Sequence, residues 1–202
     1  MGKIFCVIGK SSSGKDSIFA EIKKRMPKLK DIVTYTTRPI REGEKDGREY
    51  HFVEESVLHT FEKQGRVIEQ RSYHTQCGIW HYFTADDGQI SLDGADYLVI
   101  GTLESYVSTR EYFGTDAVVP LYVEVEDGLR LFRALERERT QQEPKYAEMC
   151  RRFLADSEDF SEENLKRAGI QVRFENLEFE DTVQKMCRYI REKMAPGESG
   201  SL

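Results

Sequence analysis

The residues of this chain best suited to chemistry are Gly9, Ser11, Ser12, Ser13, Gly14, Lys15, Asp16 and Ser17, which with Lys10 form a single Gly-x-x-x-x-Gly-Lys stretch. A short apolar run, Lys3-Ile4-Phe5-Cys6-Val7-Ile8, precedes it. After it Ile18, Phe19, Ile22 and Met26 recur at helical spacing until Pro27. Strand, small-residue loop and helix in that order predict a loop whose backbone N–H groups converge at a helix N-terminus, where multiply charged phosphate oxygens are favoured. Lys15 adds a point charge beside the outer phosphates. The residue after the lysine is usually a Ser or Thr whose hydroxyl touches magnesium. Here it is Asp16, followed by Ser17. A carboxylate is a hard oxygen ligand for Mg2+, and it is also a charge that repels phosphates. Asp16 and Ser17 are the candidate metal ligands, with both effects of Asp16 left open.

A second group of chemical interest lies between Asp31 and Val53. Arg38 and Arg41 stand among Thr34, Thr36, Thr37 and Tyr50, and Pro39, Gly43 and Gly47 argue against a helix there. Two guanidinium groups and several hydroxyls make a cage for a second phosphate group; a solvated charged loop is the competing reading. A third group is the arginine-rich stretch with Arg130, Arg133, Arg137 and Arg139, followed after Pro144 by Arg151 and Arg152. Glu136, Glu138, Glu143 and Glu148 offer these arginines ordinary helix ion pairs.

The elements that must position these residues alternate. Ile32 and Val33 read as the end of a strand, and Glu54 to Gly65 as a short helix carrying Val57, Leu58 and Phe61. Val67–Glu69 and Ile79–Thr84 read as strands around a Gly-containing turn. Asp96 to Gly101 and Ala117 to Val125 suit buried parallel strands, with a helix from Leu103 to Phe113 between them. Asp127 to Arg139 is helical, a second helix follows Pro144, and the chain closes with a strand at Gln171 to Phe174 and an amphipathic helix at Phe179 to Met194. This is the doubly wound α/β pattern.

The chain has 202 residues, 39% hydrophobic and 33% charged, with a net charge of −6. That suits a compact globular protein and argues against a nucleic-acid partner held through a global basic face. No apolar run approaches the roughly 20 residues of a membrane span, and no signal-peptide pattern precedes the first strand. Cys6, Cys77, Cys150 and Cys187 are scattered, as expected of reduced thiols in a cytoplasmic protein. His51, His59, His74 and His81 lack metal-ligand spacing. Residues 195–202, rich in Gly and Ser, read as a disordered tail.

The run Thr36-Thr37-Arg38-Pro39-Ile40-Arg41-x-Gly43-Glu44-x-x-Gly47-x-x-Tyr50-x-Phe52, with the phosphate loop upstream, resembles the nucleotide-binding signature of guanylate kinases. The resemblance implies an α/β fold with a P-loop kinase core, its parallel sheet flanked by helices, at 1–33, 88–125 and 165–194. It implies a small mixed-β GMP-binding insertion at 34–87 and a helical lid at 126–164. It implies ATP-dependent phosphorylation of GMP or dGMP, with Mg2+ accompanying ATP. The phosphate-loop residues and Asn176, whose Glu175-Asn176-Leu177 turn is similar to a family turn near adenine, become the candidate ATP ligands. Thr34, Arg38, Arg41, Tyr50, Glu69, Tyr82 and Thr84 become the candidate GMP ligands. Arg38, Arg41 and Tyr50 are then expected on the phosphate, and Glu69 on the N1–H and 2-amino donors of guanine, a pair adenine lacks. Lys15, Arg137, Arg139, Arg151 and Arg152 become the candidate catalytic group. One departure stands out. Where the family carries Asp-x-Asp after the second core strand, this chain has Val99 and Gly101. Two other readings follow: a small-molecule kinase similar to the ribose bisphosphate kinases, whose loop shares Gly-Lys-Asp-Ser, or a guanylate-kinase-like module that binds without catalysing. Oligomeric state is not legible.

Overall fold

The computed structural model describes residues 1–41, 43–75 and 78–194. The expected disordered tail and Cys77 lie outside them. The core is a five-stranded parallel sheet in the order β2-β7-β1-β8-β9. Its strands are β1 (Ile4–Ile8), β2 (Lys30–Asp31), β7 (Tyr97–Gly101), β8 (Val118–Glu124) and β9 (Arg173–Glu175). Both faces are covered, which is why β1 is apolar at every position. Phe5 and Val7 join the cluster under α1 (Lys15–Arg25) and α7 (Phe179–Lys193), with Ile18, Ile22, Val183, Met186 and Ile190. Ile4, Cys6 and Ile8 face the opposite cluster, which includes residues of α3 (Leu103–Phe113) and α6 (Glu162–Arg167). Thr102 and Ser105 form a reciprocal capping box that starts α3 at the end of β7.

A second, four-stranded mixed sheet has the order β4-β3-β6-β5. It is built from β3 (Tyr35–Thr36), β4 (His51–Phe52), β5 (Val67–Thr75) and β6 (Gly78–Ala85), with α2 (Glu55–Lys63) packed on it. Strand alternation gives this sheet two faces. Phe83 and Ala85 bury against Leu58 and Phe61 of α2. Tyr82 and Thr84 alternate with them and so take the other face. Two further helices, α4 (Asp127–Arg139) and α5 (Tyr146–Asp159), pack as a hairpin.

Three local differences from the sequence expectation have physical causes. Ile32 and Val33 fall outside β2, because the Gln89 side chain takes over the Val33 backbone: Oε1 accepts from its N–H at 2.8 Å and Nε2 donates to its carbonyl at 3.1 Å. The last strand begins at Arg173, not Gln171. The short helix α6, capped by the Ser161 hydroxyl, straddles the boundary drawn at 164/165 and sends Leu165 into the core. No helix among the described residues is long and apolar enough to cross a membrane.

Candidate functional site

A cleft of about 1040 Å³ runs from the phosphate loop past the edge of the second sheet to α5. Gly9, Ser11, Lys15 and Asp16 line one end. Ser12 and Gly14 sit at positive φ, 63° and 85°, the alternation that turns successive N–H groups inward as an anion nest. The hydroxyls of Ser12 and Ser13 are buried without a partner, as expected of groups waiting for a ligand oxygen. The loop is fixed from behind. Asn176 is 4% exposed, and its amide donates to the Ser13 carbonyl at 2.8 Å. A Cβ at Gly9 would meet the Val123 carbonyl at 2.6 Å, so this position excludes a side chain. Asn176 therefore supports the loop from behind.

Helix α5 reaches the same loop. Arg152 donates to the Ser11 hydroxyl at 3.0 Å, and Asp156 accepts from the Ser11 backbone N–H at 2.7 Å. Arg151 lines the cleft and is paired with Glu148. Arg137 and Arg139 are exposed on α4 outside the cleft wall, with Arg139 on Glu136. The structure thus brings Arg151 and Arg152 to the cleft, and not Arg137 or Arg139.

Arg130 of α4, which sequence reasoning gave no role, is among the most buried side chains at 1% exposure. It bonds Asp127 at 3.1 Å and Asp156 at 3.3 Å and lies 4.0 Å over the Phe153 ring. Lys10 reaches the same Asp127 at 3.1 Å. Burial works against the Asp127 charge, but bonds from Lys10 and Arg130 hold its carboxyl below the usual range. This network ties the loop to both α4 and α5. Its only local signal is an arginine three residues after an aspartate, the commonest of surface helix pairs.

The opposite wall carries Thr34, Tyr50, Arg71, Tyr73 and Tyr82. Tyr50 and Tyr82 meet edge to face with ring centroids 5.5 Å apart. Arg38 stands one layer behind, 4% exposed, its guanidinium 5.2 Å from the Tyr50 and Phe52 rings. Glu44 grips it bidentately at 2.6 and 2.7 Å. That bond raises Arg38 above its ordinary value and holds the Glu44 carboxyl at about 2. Arg38 Nε is left buried and unpartnered. Arg41 is exposed and outside the cleft wall.

Beside the cleft lies a small recess lined by Thr34, Glu69, Arg71, Thr84, Val99 and Gly101, among others. Glu69 is 5% exposed and accepts from the Thr84 hydroxyl at 2.9 Å, across the ladder that pairs the two residues. A Cβ at Gly101 would crowd the Ser105 hydroxyl that caps α3, so a side chain there requires Ser105 to turn away from the cap.

Magnesium is held by one or two carboxylates plus substrate phosphates and water. The Asp16 side chain, 83% exposed and 3.7 Å from Lys15 Nζ, fits that requirement. Ser17 is exposed and does not line the cleft. No group of three or more His, Cys, Asp or Glu side chains able to hold a metal exists among the described residues.

The guanylate kinase family model matches residues 1–78. A guanylate kinase of Thermotoga maritima is 27% identical over 181 residues, covering 89% of this chain and 73% of that protein. One of Nitrosococcus oceani is 35% identical over 91 residues, covering 45% of this chain. The aligned stretch spans only 43% of the Nitrosococcus protein and 36% of a guanylate kinase of Syntrophotalea carbinolica. The crystal structure of guanylate kinase from Anaplasma phagocytophilum shares the fold, with a TM-score of 0.65 and 17% identity over 97% of this chain and 88% of that one. With its phosphate loop, mixed second sheet and helical hairpin, the chain shares the fold of that guanylate kinase and is similar in sequence to guanylate kinases, most of all over its first 78 residues.

Proposed function

We propose that this protein is an ATP:GMP phosphotransferase, giving ADP and GDP. One observation carries the reading: a single cleft joins an anion nest with two buried orphan hydroxyls to a wall of Tyr50 and Tyr82 backed by Arg38, and meets a recess holding Glu69. The recess supplies base recognition and the wall holds the acceptor phosphate. Residues 34–87 act as the GMP-binding part and 126–164 as the lid.

The ATP phosphates lie on the loop amides, with Lys15 beside them and Asn176 keeping the loop in shape. Orphan hydroxyls on Ser12 and Ser13 become satisfied. The hydroxyls of Tyr50 and Tyr82 orient the phosphate of GMP, with Arg38 adding positive charge from the layer behind them and Arg41 able to approach from its exposed loop. A phosphate monoester has a second pKa near 6, so the attacking oxygen is already deprotonated at neutral pH and needs no general base. The protein's work is positioning and charge neutralisation. Arg151 and Arg152 neutralise charge that develops between donor and acceptor, and the lid helices exclude water. Mg2+ held by the phosphates and Asp16 would supply further neutralisation of the β and γ oxygens.

The absence of acids at Val99 and Gly101 favours a second reading, a module that binds GMP without transferring phosphate. A coupled assay for ADP with GMP, AMP or a ribose bisphosphate as acceptor, with and without Mg2+, separates the cases. The kinase reading requires GMP-dependent, Mg2+-dependent ADP release that Arg38→Ala reduces. GMP binding without turnover leaves the module, and turnover only with the sugar bisphosphate overturns guanine recognition.

A further inference from the structure

Glu69 is already engaged. Arg71, two residues along β5 and so on the same face of the strand, places Nε 3.0 Å from Glu69 Oε2 and Nη2 3.4 Å from Oε1. Thr84 donates to Oε1 as well, so both carboxylate oxygens are covered. The pair is sheltered, with side-chain exposures of 3% for Glu69 and 16% for Arg71. Burial works against the charge on Arg71, yet the adjacent Glu69 carboxylate keeps the guanidinium above its ordinary value. Among the described residues lining the recess, Glu69 is the one acid and Arg71 the one base.

The side-on guanidinium presents two parallel N–H donors to Glu69. The N1–H and 2-amino group of guanine are the same donor pair. A guanine reaching Glu69 therefore takes over the place of Arg71. A guanidinium released inside a sheltered recess needs a new acceptor, since an unpaired buried charge is costly. Guanine brings one: O6 and N7 lie on the adjoining edge of the ring, and arginine pairs with them bidentately. Adenine has an amino donor where guanine has O6, and no N1–H. It satisfies neither the freed acid nor the freed base.

We infer that Arg71 is a specificity-determining residue for the base, holding Glu69 in the empty site and passing to the O6/N7 edge when guanine takes its place. This rests on the guanylate kinase reading above. Selectivity then comes from an exchange of partners in which both members of an ion pair must be re-satisfied.

Calorimetric titration with GMP, 6-thio-GMP and 7-deaza-GMP tests it on the wild-type chain and on Arg71→Met. Sulfur is a weak acceptor, so the wild type should bind 6-thio-GMP about tenfold more weakly than GMP, the cost of one hydrogen bond to a charged donor. 7-Deaza-GMP should also bind more weakly than GMP. In Arg71→Met both gaps should close, while the preference for GMP over IMP, which lacks the 2-amino group, persists through Glu69. Loss of all three guanine ligands by one common factor would show a merely structural Arg71 and overturn the inference. Tighter binding of all three with the gaps unchanged would make Arg71 a plug that reads nothing, and also overturns it. Should Arg71→Met fail to fold, the wild-type series decides: equal affinity for GMP and both analogues refutes the exchange. A wild type that binds no GMP removes the parent reading, an outcome distinct from each of these.

Discussion

Gly14 and Asn176 make a sharp test of how the phosphate loop is held. Gly14 has φ 85°, and a Cβ added there would lie 2.5 Å from the Asn176 Nδ2 that bonds the Ser13 carbonyl. Gly14→Ala therefore does two things. It places an L side chain in the left-handed region, at about 1–2 kcal/mol, and it pushes Asn176 off Ser13, losing a hydrogen bond of about 1 kcal/mol. A total of about 2–3 kcal/mol follows, a fall in Tm of several degrees for a chain of this size. Asn176→Ala removes the same hydrogen bond and leaves the Ser13 carbonyl unpaired, at about 1–2 kcal/mol. In the double variant the clash is gone and the bond is lost only once. Its cost should fall short of additive by about 1 kcal/mol, well outside the ~0.5 kcal/mol within which independent sites add. Urea unfolding of the four proteins measures this through the midpoint at constant m-value. Additivity would show that Asn176 and Gly14 do not compete for one space, and the account of the loop support would be wrong.

Other outcomes follow from the same contacts. Asp156→Ala should cost about 2 kcal/mol in chemical denaturation, because Arg130 loses a partner while almost fully buried; a change below about 0.5 kcal/mol would place that charge elsewhere than on Asp156. Arg38 holds Glu44 at about 2 against an ordinary 4.5. A carboxyl depressed in the folded state adds stability above its unfolded value and loses it as pH falls through the folded one. The loss should therefore run from about 4.5 down to about 2, and Glu44→Gln should flatten that part of the urea midpoint against pH; parallel curves would refute it. Asp16→Asn should raise the Mg2+ concentration for half-maximal turnover by about tenfold, while Tm stays unchanged because the side chain is exposed. An unaltered Mg2+ titration would remove Asp16 from the metal.

What was legible in the sequence was local. The phosphate loop announces itself because nest, lysine and helix start lie within nine residues, and β1 because a strand buried on both faces has no polar position to hide. Glu69 was readable only from its register with Arg38 and Tyr50. Arg71 was not, because its meaning depends on the β5–β6 ladder, where an irregularity between Val67 and Glu69 sets which residues oppose Thr84 and Tyr82. Asp156 on the Ser11 amide joins residues 145 positions apart, and no periodicity encodes that. Ile32 and Val33 have the apolar, β-branched character of a laddered strand, but a glutamine side chain satisfies the Val33 backbone instead.

These distant pairings share one logic. A chain of net charge −6 is proposed to grip two polyanions, and several donors in or behind its cleft already hold carboxylates: Arg38 holds Glu44, Arg71 holds Glu69, Arg151 holds Glu148, and the neutral Ser11 amide holds Asp156. Buried or half-buried charges left unpaired would cost more than the fold can bear. Substrate binding is then an exchange of carboxylates for phosphates and base edges, so net affinity is the difference between two well-made sets of contacts. It follows that removing an acid that only competes, as Asp156 does on the Ser11 amide, should raise ligand affinity, and that removing an acid that itself reads the ligand, as Glu69 does, should lower it. That difference in sign separates the two kinds of carboxylate within one cleft.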